Sequence, residues 1–67
     1  MARVGDRFKT GQKSPVNGDY NFDGYLDGSA YPAPSSEEKQ ITLETNETFP
    51  PINSADKGCW WKLSRIR

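Results

Sequence analysis

The sequence predicts a small all-β domain, an antiparallel meander of three to five short strands with long Pro/Gly/Ser loops. Three observations carry that expectation. Apolar and polar residues alternate in several short runs, the period-two signature of strands with one buried face. No segment carries the 3.6-residue periodicity of a helix of ordinary length. Turn formers are dense, with six glycines and five prolines among 67 residues.

Taken in order, Arg7-Phe-Lys-Thr10 is an edge strand at most, with Phe8 set between charges that discourage pairing with other chains. Asn17-Gly18 is a strong hairpin-turn signal because both residues tolerate positive φ. The strand expected after it places Tyr20 and Phe22 on one face and Asp19, Asn21 and Asp23 on the other. Gly24 breaks that alternation as a bulge would, and Asp27-Gly28 marks the next turn.

Residues 29–39 read as a loop, with room for one helical turn starting at Ser35 or Ser36 and carrying Glu37 and Glu38 near its positive end. Gln40-Ile-Thr-Leu-Glu-Thr45 is the cleanest strand, rich in β-branched residues, and residues 45–48 turn. Phe49-Pro-Pro-Ile52 cannot join a ladder through its prolines, so Phe49 and Ile52 are expected as plugs against the sheet. After a polar loop, residues 59–66 close the chain as a strand with Trp61 and Leu63 facing the core. Trp60 then points to the opposite face.

Sixty-seven residues make one domain, 1–67, with a narrow stability margin. Only 33% of the residues are hydrophobic, so the eight aromatic rings must supply much of the core. Cys59 is the single cysteine and there is no histidine. An intrachain disulfide, a cysteine-built zinc site and His-dependent hydrolase chemistry are thereby excluded. No run is long enough for a membrane span, and the N-terminus lacks a signal-peptide core, so a soluble cytoplasmic protein is expected.

Net charge is zero but unevenly placed: residues 1–13 carry +3, residues 14–56 carry −7 and residues 57–67 carry +4. If the fold brings the two ends together they form a basic, tryptophan-bearing patch for an anionic partner. The plainer reading is that basic end strands neutralise an acidic middle within one sheet.

The most specific motif is Asp19-x-Asn21-x-Asp23-Gly24-x-x-Asp27, which matches positions one, three, five, six and nine of a calcium loop. Position twelve should be glutamate and is Ala30, and prolines stand where the flanking helices should be. Glu37 or Glu38 could complete a shell from the long loop. The competing reading makes these acids the wet face of a strand. Trp60, Tyr20 and Tyr25 could stack on bases, but so few aliphatics leave aromatics needed in the core. Cys59 reads as a small apolar residue at a strand start rather than a reactive thiol, and the Glu37-Glu38 pair has no organising partner.

The residues Arg7-Phe-Lys-Thr-Gly-Gln-Lys-Ser-Pro-Val-Asn-Gly-Asp-Tyr20, Ile41-Thr-Leu43, Phe49-Pro50-Pro51 and Trp61-Lys-Leu63 together resemble the small bacterial YjzC-like proteins. That resemblance implies a fold and no activity. The order also resembles a rubredoxin-like zinc ribbon that has lost its cysteines, with Pro15 and Ile52 in their neighbourhoods. An aromatic cluster would then replace the energy of metal coordination.

These readings converge on a non-enzymatic protein-interaction module with no catalytic residue, cofactor or metal site. It would bind a protein partner, or a second copy of itself, through an edge strand or an aromatic patch. A calcium-loop protein and a weak nucleic-acid binder using the basic termini are the alternatives, both less favoured, and no membrane partner is expected.

Overall fold

The computed structural model describes residues 2–29, 31 and 33–67. Four strands form in chain order, β1 (Arg7–Lys9), β2 (Gly18–Tyr25), β3 (Gln40–Leu43) and β4 (Cys59–Ile66). They make one antiparallel sheet in the order β1-β4-β2-β3. No helix is present among the described residues, in keeping with the all-β expectation. The chain's final strand therefore lies in the interior of the sheet, between β1 and β2.

That order corrects one local reading. Asn17-Gly18 does begin a strand, but it does not turn a hairpin, because β1 pairs with β4 rather than β2. The Asn17 side chain instead accepts hydrogen bonds from the backbone N–H and hydroxyl of Thr45, at 2.7 and 3.0 Å. Its carbonyl takes the Arg67 N–H at 2.8 Å. Asn17 thus fastens the ends of β3 and β4 beside β2.

Alternation sorts the side chains as the sequence predicts, except that it puts Arg65 on the face of Trp61 and Leu63; a ladder irregularity between Asp19 and Tyr20 instead carries Arg65 to the other face, opposite Asp19. Phe8, Tyr20, Phe22, Ile41, Trp61 and Leu63 meet one another across the ladders on the inner face. Ladder register shifts between Phe22 and Tyr25, and Gly24 adopts φ +96°, so the bulge lies where the pattern broke. It returns Tyr25 to the inner face opposite Cys59.

A fold this small needs a lid for its inner face, and residues 44–58 supply it. Phe49 and Ile52 are fully buried there; an isolated bridge joins Thr48 to Lys13, another closes Ile52 on Lys57 within the segment, and the Phe49 N–H and C=O bond Gln12 and Gly11. Phe49 stacks on Phe8 at 5.4 Å and meets the edge of Tyr20 at 4.8 Å. Such ring pairs add about 0.5–1.5 kcal/mol each beyond burial. Ile52, one of the residues standing near a ribbon cysteine, is core, whereas Pro15 is exposed.

Polar groups hold the lid in place. The Pro50 carbonyl accepts from Trp61 Nε1 at 2.9 Å and from the Thr10 hydroxyl at 3.0 Å. Buried Ser14 donates its hydroxyl to the Glu44 carbonyl and accepts the Asn46 N–H at 2.8 Å. Within residues 29–39, Ser35 opens a single turn: its carbonyl accepts the Glu38 and Lys39 N–H groups at 3.0 Å, and its own N–H and hydroxyl donate to the Glu38 carboxylate at 3.4 and 3.1 Å.

Candidate functional site

The outer face of the sheet gathers most of what the sequence singled out. Cross-strand partners share a face, so the pairs Arg7↔Lys62, Lys9↔Trp60, Asn21↔Lys62, Asp19↔Arg65 and Asn21↔Gln40 all lie there. The basic ends of the chain, β1 and β4, are neighbouring strands, which satisfies the condition for a joint basic patch.

Trp60 is half-buried, with the Arg7 guanidinium carbon 4.5 Å and the Lys9 Nζ 5.2 Å from its ring centroid. Both cations sit at the distance where the ring's quadrupole attracts them. Arg7 is also fixed from the far side, by an ion pair to Asp23 at 2.6 Å and a bond to the Asp23 carbonyl at 3.1 Å. The guanidinium is therefore held over the tryptophan in one orientation. At the opposite corner Arg67 grips Asp19 with two bonds, 2.8 and 3.0 Å, and Thr42 donates its hydroxyl to the same carboxylate at 2.6 Å. The Asp19 pKa is lowered by Arg67 first and by Thr42 next, so it remains a carboxylate.

The candidate calcium ligands are not gathered. Asp19 and Asp23 are four residues apart on an extended strand, roughly 13 Å at about 3.3 Å per residue. Asp27 lies beyond the bulge, where it pairs with Lys57 at 3.1 Å and accepts from the Ser29 hydroxyl and backbone N–H. Those Ser29 bonds, with Lys57, hold the Asp27 pKa at about 2. Each of the three acids is thus matched with a cation from a basic end, which is the neutralising arrangement the charge pattern suggested. Glu38 is engaged by Ser54 and Ser35, and its pKa is lowered by those bonds. Ala30 lies outside the described residues.

Tyr20 and Tyr25 are buried on the inner face and take no part in the outer surface. Tyr20 donates its hydroxyl to the Val16 carbonyl at 2.9 Å. Cys59 is fully buried at the start of β4, and burial pushes its thiol pKa up. It behaves as the small apolar residue the sequence suggested.

One feature was not legible in the sequence. A cleft of about 420 Å³, lined by Phe22, Pro34, Ala33, Lys39, Asn21 and Gln40, opens beside the amide side chains of the outer face. It exists because residues 33–40 fold back along β2, where the Phe22 N–H reaches the Lys39 carbonyl at 2.8 Å.

A family model described as YjzC-like protein matches residues 4–63. The chain belongs to the YjzC-like family. The match spans all of β1, β2 and β3, and β4 as far as Leu63. No curated protein and no solved structure shows a significant match.

Proposed function

We propose that the protein is a non-enzymatic interaction module of the cytoplasm whose working surface is the outer sheet face, and that this face receives an anionic partner. The observation that carries the reading is the strand order, which sets the two basic ends side by side around Trp60. Two acids on that face, Asp19 and Asp23, are already matched by Arg67 and Arg7. Lys62 and Arg65 form no contact ion pair among the described residues, although Arg65 lies opposite Asp19 and its charge helps hold that carboxyl's pKa down, and Lys9 leans on the tryptophan ring.

The groups that could do acid–base work are poorly tuned for it. A catalytic acid or base works best with a pKa near the operating pH. Here Asp19, Asp27 and Glu38 are all shifted down and the lone thiol is shifted up. The cytoplasmic assignment leans on that lone reduced thiol. No helix among the described residues is long and apolar enough to cross a membrane.

Retention on an immobilised polyanion at low salt tests the reading. Lys62→Glu/Arg65→Glu should elute at much lower salt than Arg3→Glu/Lys13→Glu, which makes the same change in net charge outside the strands of this face. Equal elution of the two variants would show that the outer face is not the contact surface.

Self-association is a second reading, favoured by the free edge of β3. The bond from Phe22 N–H to the Lys39 carbonyl sets the ladder phase. Alternation then turns the N–H and C=O of Gln40 and Thr42 away from β2. This edge carries no charged residue, whereas β1 carries Arg7 and Lys9. Light scattering should detect a dimer that Gln40→Pro abolishes, and a strictly monomeric protein at high concentration would remove this reading.

A further inference from the structure

We infer that the anionic partner of the outer face is single-stranded nucleic acid, held by phosphate contacts to Lys9, Lys62 and Arg65 and by a base stacked on the Arg7 guanidinium that covers Trp60. The inference rests on the reading of the outer face as the working surface and adds the chemistry of what it receives. Zero net charge argues against nucleic acid only while charge is counted over the whole chain. On this face, pairing of Arg7 with Asp23 and of Arg67 with Asp19 leaves Lys9, Lys62 and Arg65, an excess of three positive charges.

Three further observations separate a nucleic acid from an acidic peptide. The Arg7 guanidinium is backed by the Trp60 ring 4.5 Å beneath it and tied to Asp23 by both its side-chain and backbone oxygens, a planar group held in place at the surface. Carboxylates have nothing to place on such a surface, whereas every base has a face that stacks on aromatic rings or guanidinium planes. Asn21 and Gln40 stand exposed and opposite each other in the register, each offering amide donors and acceptors to base edges. The cleft of about 420 Å³ that adjoins them is lined by Asn21, Gln40 and Lys39 and, from the inner-face side, by Phe22, with room for one planar ring.

A single strand is favoured over a duplex. Reading a major groove takes a helix or a protruding ribbon, and the outer face is the side of a four-stranded sheet. Unpaired bases, by contrast, can splay onto a sheet. The largest dimension of the fold, 30 Å, fits a short site of roughly four nucleotides, the low end for small β folds. Lacking a dense set of base-reading groups, the site should tolerate many sequences.

The test uses the full chain, a fluorescent oligo-thymidylate of about twelve nucleotides, and fluorescence anisotropy. Three phosphate contacts give a slope of about −2 in log K against log salt. Raising salt from about 50 to 200 mM should therefore weaken binding roughly twenty-fold. Lys62→Glu should weaken binding and flatten that slope. Trp60→Leu should weaken binding about ten-fold with the slope unchanged, its fold checked by the emission of buried Trp61.

Competition by polyglutamate and by a duplex of equal length completes the experiment. If unlabelled oligo-thymidylate competes far better than either, the inference holds. Equal competition by polyglutamate overturns it while leaving the anionic-partner reading standing, and equal competition by duplex overturns the single-strand claim. Salt-independent binding overturns the inference, and no binding to any polyanion defeats both readings.

Discussion

Replacing Thr10 by valine keeps shape and β-branching and removes one oxygen, and that oxygen joins three parts of the fold. The Thr10 hydroxyl accepts the Cys59 N–H at 2.9 Å and donates to the Pro50 carbonyl at 3.0 Å. It substitutes for a strand carbonyl at the point where β1 ends, while the Thr10 N–H pairs normally with the Cys59 carbonyl at 3.0 Å. In the valine variant Pro50 still has the Trp61 Nε1–H, at 2.9 Å. The Cys59 N–H, on a fully buried residue, has nothing in its place. An unsatisfied buried donor costs about 1–3 kcal/mol, against a total stability of roughly 3–10 kcal/mol for a domain of this size. Thermal unfolding followed by tryptophan emission should fall by about 5–20 °C. Thr10→Ser, which keeps the oxygen and loses a methyl group, should fall by much less. A Thr10→Val protein that melts within about 2 °C of the parent, alongside a clearly weakened Thr10→Ser, would refute the assignment of this hydroxyl as the tie.

Gly18→Ala should cost about 1–3 kcal/mol by overpacking, because a β-carbon there would stand 2.6 Å from the Arg65 carbonyl oxygen and 2.8 Å from Leu63 Cδ1. Urea titration reads the loss as a lower midpoint, and an unchanged midpoint would mean that β2 and β4 are not so closely apposed. Acid should destabilise the fold: the carboxyl pKa values of Asp27, Asp19 and Glu38 lie below their usual values when folded. Stability from a depressed carboxyl is present above the unfolded pKa and is lost as pH falls through the folded one. The urea midpoint should be level above about pH 5 and drop steadily towards pH 2, with a shallower drop in Asp27→Asn; a midpoint that rises on acidification would contradict these pairings. Millimolar calcium should leave the melting temperature unchanged, since Asp19 and Asp23 are spread along β2, Asp27 lies beyond it, and all three are paired with cations; a clear rise would show that they regroup around an ion.

Local pattern was enough to locate every strand, because alternation in β3 and β4, the glycine break in β2 and the prolines beside Phe49 are all encoded within a few residues. Pairing was not local. Asn17-Gly18 looks like a hairpin turn by its conformational tolerance, yet Phe8 finds its ladder partner at Trp61, far along the chain. The same distance in sequence hid the candidate site. Alternation could say that Trp60 opposes Trp61 in direction, but only the adjacency of β1 and β4 puts Arg7 and Lys9 over the exposed side of its ring. The candidate calcium ligands lie apart for a related reason: spacing that suits ligands around a tight loop becomes a line of separate charges when the chain is extended.

The interior position of β4 sets the order in which this fold can be made. Until Cys59–Ile66 leaves the ribosome, β1 has no neighbour, and β2 with β3 is a lone two-stranded ribbon, marginal in water. The Phe49 lid likewise lacks Trp61, whose indole holds the Pro50 carbonyl. Nascent chains should therefore stay open and protease-sensitive until synthesis of that strand is complete, then close in one cooperative step dominated by contacts distant in sequence.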